Sequence, residues 1–243
     1  MARLNTFYLS PDSWPDGALQ GCEVVLRGPE ARHMMTVLRT PLGASVRLID
    51  GCGRSGLFTL REGSKNKALL LADEVGRSEP PKSGVTLALG WNKSKRRDWV
   101  LEKAVEFGAS GLIFWPAARS VGKVPSEPKD SWYDKMVQAA KQCEAVHLPE
   151  LTTLSSLDAL LDLEGFDRRV LAWENAEGAI LGPEHFDGST LVVVGPEGGL
   201  SDQEAERFMA TAFEPLSLGR SVLRWETAAM HAMSLAHYAR ERT

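Results

Sequence analysis

The chain has 243 residues, 43% of them hydrophobic and 25% charged, with a formal net charge of −4, the profile of an ordinary globular protein of one or two domains. It contains no apolar run near the ~20 residues needed to cross a bilayer, and no secretory signal is expected at its start. Its three cysteines, Cys22, Cys52 and Cys143, are odd in number and far apart, which excludes a disulfide framework and a Cys-x-x-Cys zinc half-site and favours a reduced, cytoplasmic setting.

Residues 1–78 read mostly as strand. Short apolar or β-branched runs occupy 5–10, 22–27, 44–50, 56–61 and 68–75. Turn chemistry at Pro11-Asp12, Pro15-Asp16-Gly17, Asp50-Gly51 and Glu62-Gly63-Ser64 separates them. One helix is predicted over 30–39, with Ala31, Met34, Met35 and Leu38 on one face. Five strands and a helix suggest a small β-barrel. The prolines of Ser78-Glu79-Pro80-Pro81-Lys82-Ser83-Gly84 stop strand and helix alike, so a linker is predicted there and a second domain over 82–243.

From Val85 the pattern alternates. Strands are predicted at 85–90, 111–115, 170–173, 191–194 and 213–218. Helices are predicted at 95–107, 130–142, 202–211 and 227–240. In the first of these helices Val100, Leu101, Ala104, Val105 and Phe107 fall at helical spacing. This alternation indicates an α/β layer domain with a largely parallel sheet.

Three segments carry chemistry. In the first, a buried run ends in Gly195-Pro196-Glu197-Gly198-Gly199, and a helix follows with Ser201 as N-cap and Glu204 three residues on, a capping box. Parallel sheets bind ligands at such strand ends, although a tight turn without a ligand fits the spacing equally. GxGxxG and a Walker Lys-Ser/Thr are absent, so neither a dinucleotide nor a nucleoside triphosphate is supported. In the second segment, Ser217-Leu218-Gly219-Arg220-Ser221-Val222-Leu223-Arg224-Trp225-Glu226, another strand ends in glycine before a helix. Two such ends in neighbouring units can line one cleft. Arg224 with Glu226 also reads as an ordinary ion pair at a helix start.

The third is basic: Lys93, Lys95, Arg96, Arg97, Lys103, Arg119 and Lys123, interleaved with Trp91 and Trp99. Cations hold phosphates and aromatic planes stack on bases. A solvated helix face is the plain alternative, and Trp99 is expected in the core. Residues 1–123 hold 18 Lys and Arg against 12 Asp and Glu, a local charge of +6; the remainder hold 10 against 20, a local charge of −10. That asymmetry suggests a polyanion-facing surface on the first part. His33, between Arg32 and Arg39, is a further candidate there. The five histidines lack metal-ligand spacing, and no Ser-His-Asp pattern is present.

Taken together and in order, these segments resemble the RsmE family, the 16S rRNA uracil-N3 methyltransferases of the SPOUT superfamily. The carrying motifs are RHxxxVLR at 32–39, LxDGxG at 48–53, Lys103-Ala104-Val105-Glu106-Phe107-Gly108, Arg119-Ser120-Val121, GPEGG at 195–199 with Ser201 and Glu204, and LG…LRxETA at 218–228. Together they span essentially the whole chain. The sequence departs from the family at Lys141, where an acid is usual, at Ala145, where an arginine is usual, and at Ser221, likewise in place of an arginine.

The resemblance implies an α/β fold: a PUA-like, RNA-binding β-barrel over 1–78, and a SPOUT domain with a C-terminal trefoil knot over 82–243. It implies a homodimer, 16S rRNA in the small subunit or its precursor as partner, and S-adenosyl-L-methionine as cofactor, with no metal. The cofactor would be held by Gly195, Pro196, Glu197, Gly198 and Gly199, by Ser217, Leu218, Gly219, Val222 and Leu223, and by Trp173 and Glu174 alongside. RNA would meet Arg32, His33, Arg39, Lys95, Arg96, Arg97, Lys103, Arg119 and Lys123. Uracil N3 must lose a proton, so a base or cations flanking its carbonyl oxygens are needed. Glu197 or Glu226 could serve as the base, and Arg119 or Arg224 as the cation. Two alternatives stay open: a SPOUT enzyme with another rRNA or tRNA target, and an inactive RNA-binding homologue.

Overall fold

The computed structural model describes residues 4–14, 20–93 and 95–242; the expected turn at Pro15-Asp16-Gly17 lies outside the described residues. The chain forms two compact units: Met1–Pro80 with Val137–Leu148, and Pro81–Met136 with Pro149–Thr243. The linker prolines mark the first boundary. The return of Val137–Leu148 to the first unit has no punctuation in the sequence, because it begins inside a helix.

In the first unit, strands β1 (Thr6–Tyr8), β2 (Glu23–Arg27), β3 (Ser45–Ile49), β4 (Arg54–Ser64) and β5 (Lys67–Arg77) form one sheet in the order β1-β3-β4-β5-β2. β1 runs parallel to β3, and the other pairs are antiparallel. Alternate residues face inward, so Val24, Leu26, Phe58, Leu60 and Leu70 bury with Phe7, Trp14 and Leu48 in one core. The helix predicted over 30–39 is different in the structure. Helix α1 covers only Gly28–Arg32, and a π-helical turn follows at His33–Val37. Leu38 N–H reaches back to His33 O at 2.9 Å, and Arg39 takes a positive φ of 50°. The wider turn rotates the later residues off the α-helical face. Met34 stays buried while Leu38 comes to the surface. Arg39 therefore does not share a helix face with Arg32.

In the second unit, β6 (Gly84–Gly90), β7 (Gly111–Trp115), β8 (Glu150–Thr153), β9 (Arg168–Ala172), β10 (Ser189–Val194) and β11 (Glu214–Leu216) form an all-parallel sheet in the order β11-β9-β10-β6-β7-β8. Its helices are α2 (Arg96–Glu106), part of α3 (Asp130–Cys143), α4 (Leu157–Leu161), α5 (Asp202–Ala210) and α6 (Trp225–Glu241). Central parallel strands are covered on both faces, and β7 and β10 are accordingly almost wholly buried. The sequence predicts neither β8 nor α4: one is a four-residue edge strand of mixed polarity, the other barely a turn and a half. No described helix is long and apolar enough to cross a membrane.

Trp99 overturns the expectation of a core position, at 47% exposure. The buried stripe of α2 is Val100, Leu101, Ala104 and Val105. At 3.6 residues per turn Trp99 points to the opposite side, whereas Arg97 falls on the stripe.

Candidate active site

After β6 the chain steps toward β7; after β10 it steps the other way, to β11 beyond β9. Between β10 and β6 the winding direction changes, and the ends of neighbouring strands there open a crevice. A cavity of about 680 Å³ lies at these ends, lined by residues 172–174, 194–199, 217–225 and Ala228. Ligand pockets commonly span roughly 300–1,000 Å³. All twelve residues assigned to the cofactor from the sequence line this one cavity.

Backbone geometry explains the glycines. A Cβ on Gly90, at the end of β6, would stand 2.5 Å from Pro196 N, so this strand end and the 195–199 loop touch through backbone. Trp225 Nε1 donates to Gly90 O at 3.0 Å, bringing the start of α6 to the same place. A Cβ on Gly198 would meet Arg119 Cβ at 3.1 Å. Gly219 has a φ of 119° with open space where a Cβ would be. Ser217 Oγ accepts the Gly219 N–H at 3.1 Å and tightens that turn. With the 195–199 loop packed through backbone at Gly90 and open space at Gly219, these loops form a cradle that fits an organic cofactor.

The capping box predicted at α5 is present and does more than cap. Glu204 Oε2 accepts from Ser201 N–H and Ser201 Oγ, both at 2.9 Å, and Ser201 Oγ accepts the Glu204 N–H at 3.2 Å. The other carboxylate oxygen, Oε1, accepts the backbone N–H of Ala118 at 2.7 Å. Ala118 precedes Arg119, whose Nη1 donates to Gly198 O at 3.1 Å. This places Arg119 against the glycine loop. Only the Ser201–Glu204 half of that arrangement has a sequence signature.

Of the other expected catalytic groups, Glu197 and Arg224 line the cavity. Glu226 is buried at the first turn of α6, at 7% exposure. Arg96, expected on RNA phosphates, bridges two of these carboxylates instead: its Nη1 lies 2.7 Å from Glu197 Oε1 and 3.3 Å from Glu226 Oε1. Arg97 is turned inward, its side chain 15% exposed. Its guanidinium lies 4.5 Å from the Trp132 ring centroid and 5.2 Å from that of Trp91, and burial lowers its pKa from the ordinary value. Lys103 holds Glu106 at 2.7 Å. Lys95, Arg119 and Lys123 are exposed.

In the first unit Arg32 and Arg39 are exposed, and His33 is half-buried with its ring edge on Phe7, centroids 6.1 Å apart. Lys141 is used internally. Its Nζ pairs with Glu30 Oε1 at 2.7 Å, with the lysine side chain 7% exposed. Glu30 Oε2 meanwhile accepts the Tyr8 N–H at 2.9 Å. Ser221, the departure in the second unit, lines the cavity.

The chain resembles known RNA methyltransferases. Residues 78–237 match the family model described as the RNA methyltransferase domain. The chain is 31% identical to ribosomal RNA small subunit methyltransferase E of Bacillus subtilis, over 89% of this chain and 90% of that protein. A probable rRNA-methyltransferase from Porphyromonas gingivalis superposes with a TM-score of 0.83 at 26% identity, covering 98% of this chain and 99% of that one. The same fold, with a TM-score of 0.83 at 24% identity over 96% of each chain, occurs in ribosomal RNA small subunit methyltransferase E from Neisseria gonorrhoeae, solved bound to S-adenosyl methionine.

Proposed function

The chain belongs to the RsmE family of RNA methyltransferases, and on that premise we propose that it methylates N3 of a uridine in 16S rRNA, using S-adenosyl-L-methionine. The observation that carries the reading is the convergence of residues 173–174, 195–199 and 217–223 on one cavity at the switch point of the sheet. The cofactor supplies an electrophilic methyl group on a sulfonium. The chain's own residues bind, orient and handle the proton. The two glycine loops would hold the cofactor, with Trp173 and Glu174 alongside. Arg119, anchored on Gly198 O, and Arg224, at the entry to α6, are the cations available to the uracil carbonyl oxygens as negative charge develops. Glu197 and Glu226 are the carboxylates available for the N3 proton. Fixing cofactor and uracil in line accounts for a large share of the acceleration, and the uridine must be unstacked to enter.

The same reading makes the first unit a PUA-like RNA-binding part, gives the second the family's trefoil knot, and pairs two chains in a homodimer. RNA contact falls to Arg32, His33 and Arg39 in the first unit and to Lys95, Arg119 and Lys123 in the second. The test is nucleoside mass spectrometry of 16S rRNA from a strain lacking this protein. Loss of N3-methyluridine, restored by the wild-type chain, is expected. Loss of a different methylated nucleoside, from rRNA or tRNA, points to shifted target choice, for which Ser221 in the cavity wall is the motivating departure. An unchanged nucleoside profile and no heat on titration with S-adenosylmethionine point to an inactive RNA-binding homologue.

A further inference from the structure

Arg96 is the first residue of α2, where the helix dipole disfavours a cation. A surface lysine or arginine at such a position normally turns to water or to a polyanion. Here the guanidinium, its side chain 39% exposed, folds onto the protein's own carboxylates: one nitrogen, Nη1, stands 2.7 Å from Glu197 Oε1, 3.3 Å from Glu226 Oε1 and 3.4 Å from Glu226 Oε2. Glu226 is buried, and a buried carboxylate needs a partner. Glu197 belongs to the glycine loop that lines the cavity. Two like charges drawn this close repel unless a cation lies between them. The segments around them are already in contact, through the backbone of Gly90 against Pro196 and through the Trp225 indole N–H donated to Gly90 O. Arg96 is thus the charged link among three chain segments: the entry to α2, the glycine loop and the entry to α6.

We infer that Arg96 is a positioning residue of the methyl-transfer site, holding the cavity-lining Glu197 in register with the buried Glu226, and is not an RNA phosphate contact. The inference rests on the function proposed above. It acts through the two carboxylates: the bridge sets where the 195–199 loop stands, and it keeps both groups aimed while RNA enters. Lysine carries the same charge on a more flexible stem, so it can meet both carboxylates but fixes them less firmly.

The test compares Arg96→Gln, Arg96→Lys, Glu226→Gln and the Arg96→Gln/Glu226→Gln double variant with the wild-type chain. Cofactor affinity is measured by calorimetry, methyl transfer to 30S particles by steady-state kinetics, and particle binding as a function of salt. Arg96→Gln is expected to lower kcat by tenfold or more and weaken cofactor binding severalfold, with KM for the particle little changed. Arg96→Lys should recover part of kcat. The double variant should lose less than the product of the two single losses, because one bridge is being broken twice. The log–log salt slope of particle binding should stay at the wild-type value. A slope flattened by ~1 with kcat intact would make Arg96 a phosphate contact and overturn the inference. So would independent, multiplicative losses in the double variant. A wild-type chain that takes up no S-adenosylmethionine at all would sink the functional reading first, and this role with it.

Discussion

Glu204 and Ala118 are 86 positions apart in sequence, yet the Glu204 carboxylate accepts the Ala118 backbone N–H at 2.7 Å. The other oxygen of the same carboxylate caps α5 through Ser201. One buried side chain therefore fixes two things at once: the entry angle of the helix after the glycine loop, and the position of the loop that presents Arg119. Its burial at 7% exposure makes every one of these hydrogen bonds costly to leave unmade.

Glu204→Ala should destabilise the chain by about 1–3 kcal/mol, from the lost cap and the unpaired Ala118 N–H. It should also lower methyl transfer, because Arg119 loses the anchor of its neighbour. Urea unfolding gives the first quantity and single-turnover kinetics the second. A variant as stable as wild type would show that the carboxylate is replaceable by water.

Gly198→Val and Gly219→Val should both abolish cofactor binding, for different reasons. At Gly198 the added atoms collide with Arg119, whose Cβ would stand 3.1 Å from the first added carbon. At Gly219 space is open, but the φ of 119° is hostile to a β-branched residue. Gly198→Ala asks the neighbour to give only a few tenths of an ångström and should bind several times more weakly. Calorimetry on folded variants decides; unchanged affinity in both valine variants would place the cofactor elsewhere.

Two walls of the cavity were legible in the sequence because each is a local signal, an apolar run into a glycine-containing end and a helix start, whereas the wall at Trp173 and Glu174 was reached only through the family resemblance. The strand Leu191-Val192-Val193-Val194 followed by Gly195 needs no tertiary knowledge to be read. Contacts closed by the fold had no such signal. Arg96 sits in a basic run and reads as a phosphate ligand; only the return of Glu197 and Glu226 to its side shows otherwise. The inward turn of Arg97 does follow from its place on the α2 stripe, since it shares that stripe with Val100, Leu101 and Ala104. The π-helical turn at His33–Val37 was illegible for another reason. Apolar spacing distinguishes helix from strand but not 3.6 residues per turn from the wider turn, which here leaves Leu38 and Arg39 outside the expected face.

The homodimer proposed with the family reading has a direct measurement. The monomer mass is 26.6 kDa, so light scattering across micromolar concentrations should return about twice that value. A monomer that retains full methyl transfer would end the proposal.

The basic residues divide by what the fold leaves them to do. Arg32 and Arg39 are exposed in the first unit, and Lys95 and Lys123 are exposed in the second. Arg97 lies against both Trp91 and Trp132, whose rings also touch each other, with its side chain 15% exposed. If RNA is held by counter-charge, each exposed cation that meets a phosphate releases about one counterion on binding. Alanine at Arg32, Arg39, Lys95 or Lys123 should then weaken binding of 30S particles across sequences and flatten the log–log salt slope by ~1 each. Alanine at Arg97 should leave the slope unchanged. It should instead lower stability by about 0.5–2 kcal/mol, the worth of a partly desolvated cation over an indole, together with the packing of its stem. The two measurements, a salt titration and a urea melt, separate the classes residue by residue. Exposed cations whose replacement leaves the slope at its wild-type value are solvated surface, and an RNA surface built on them would have to be moved.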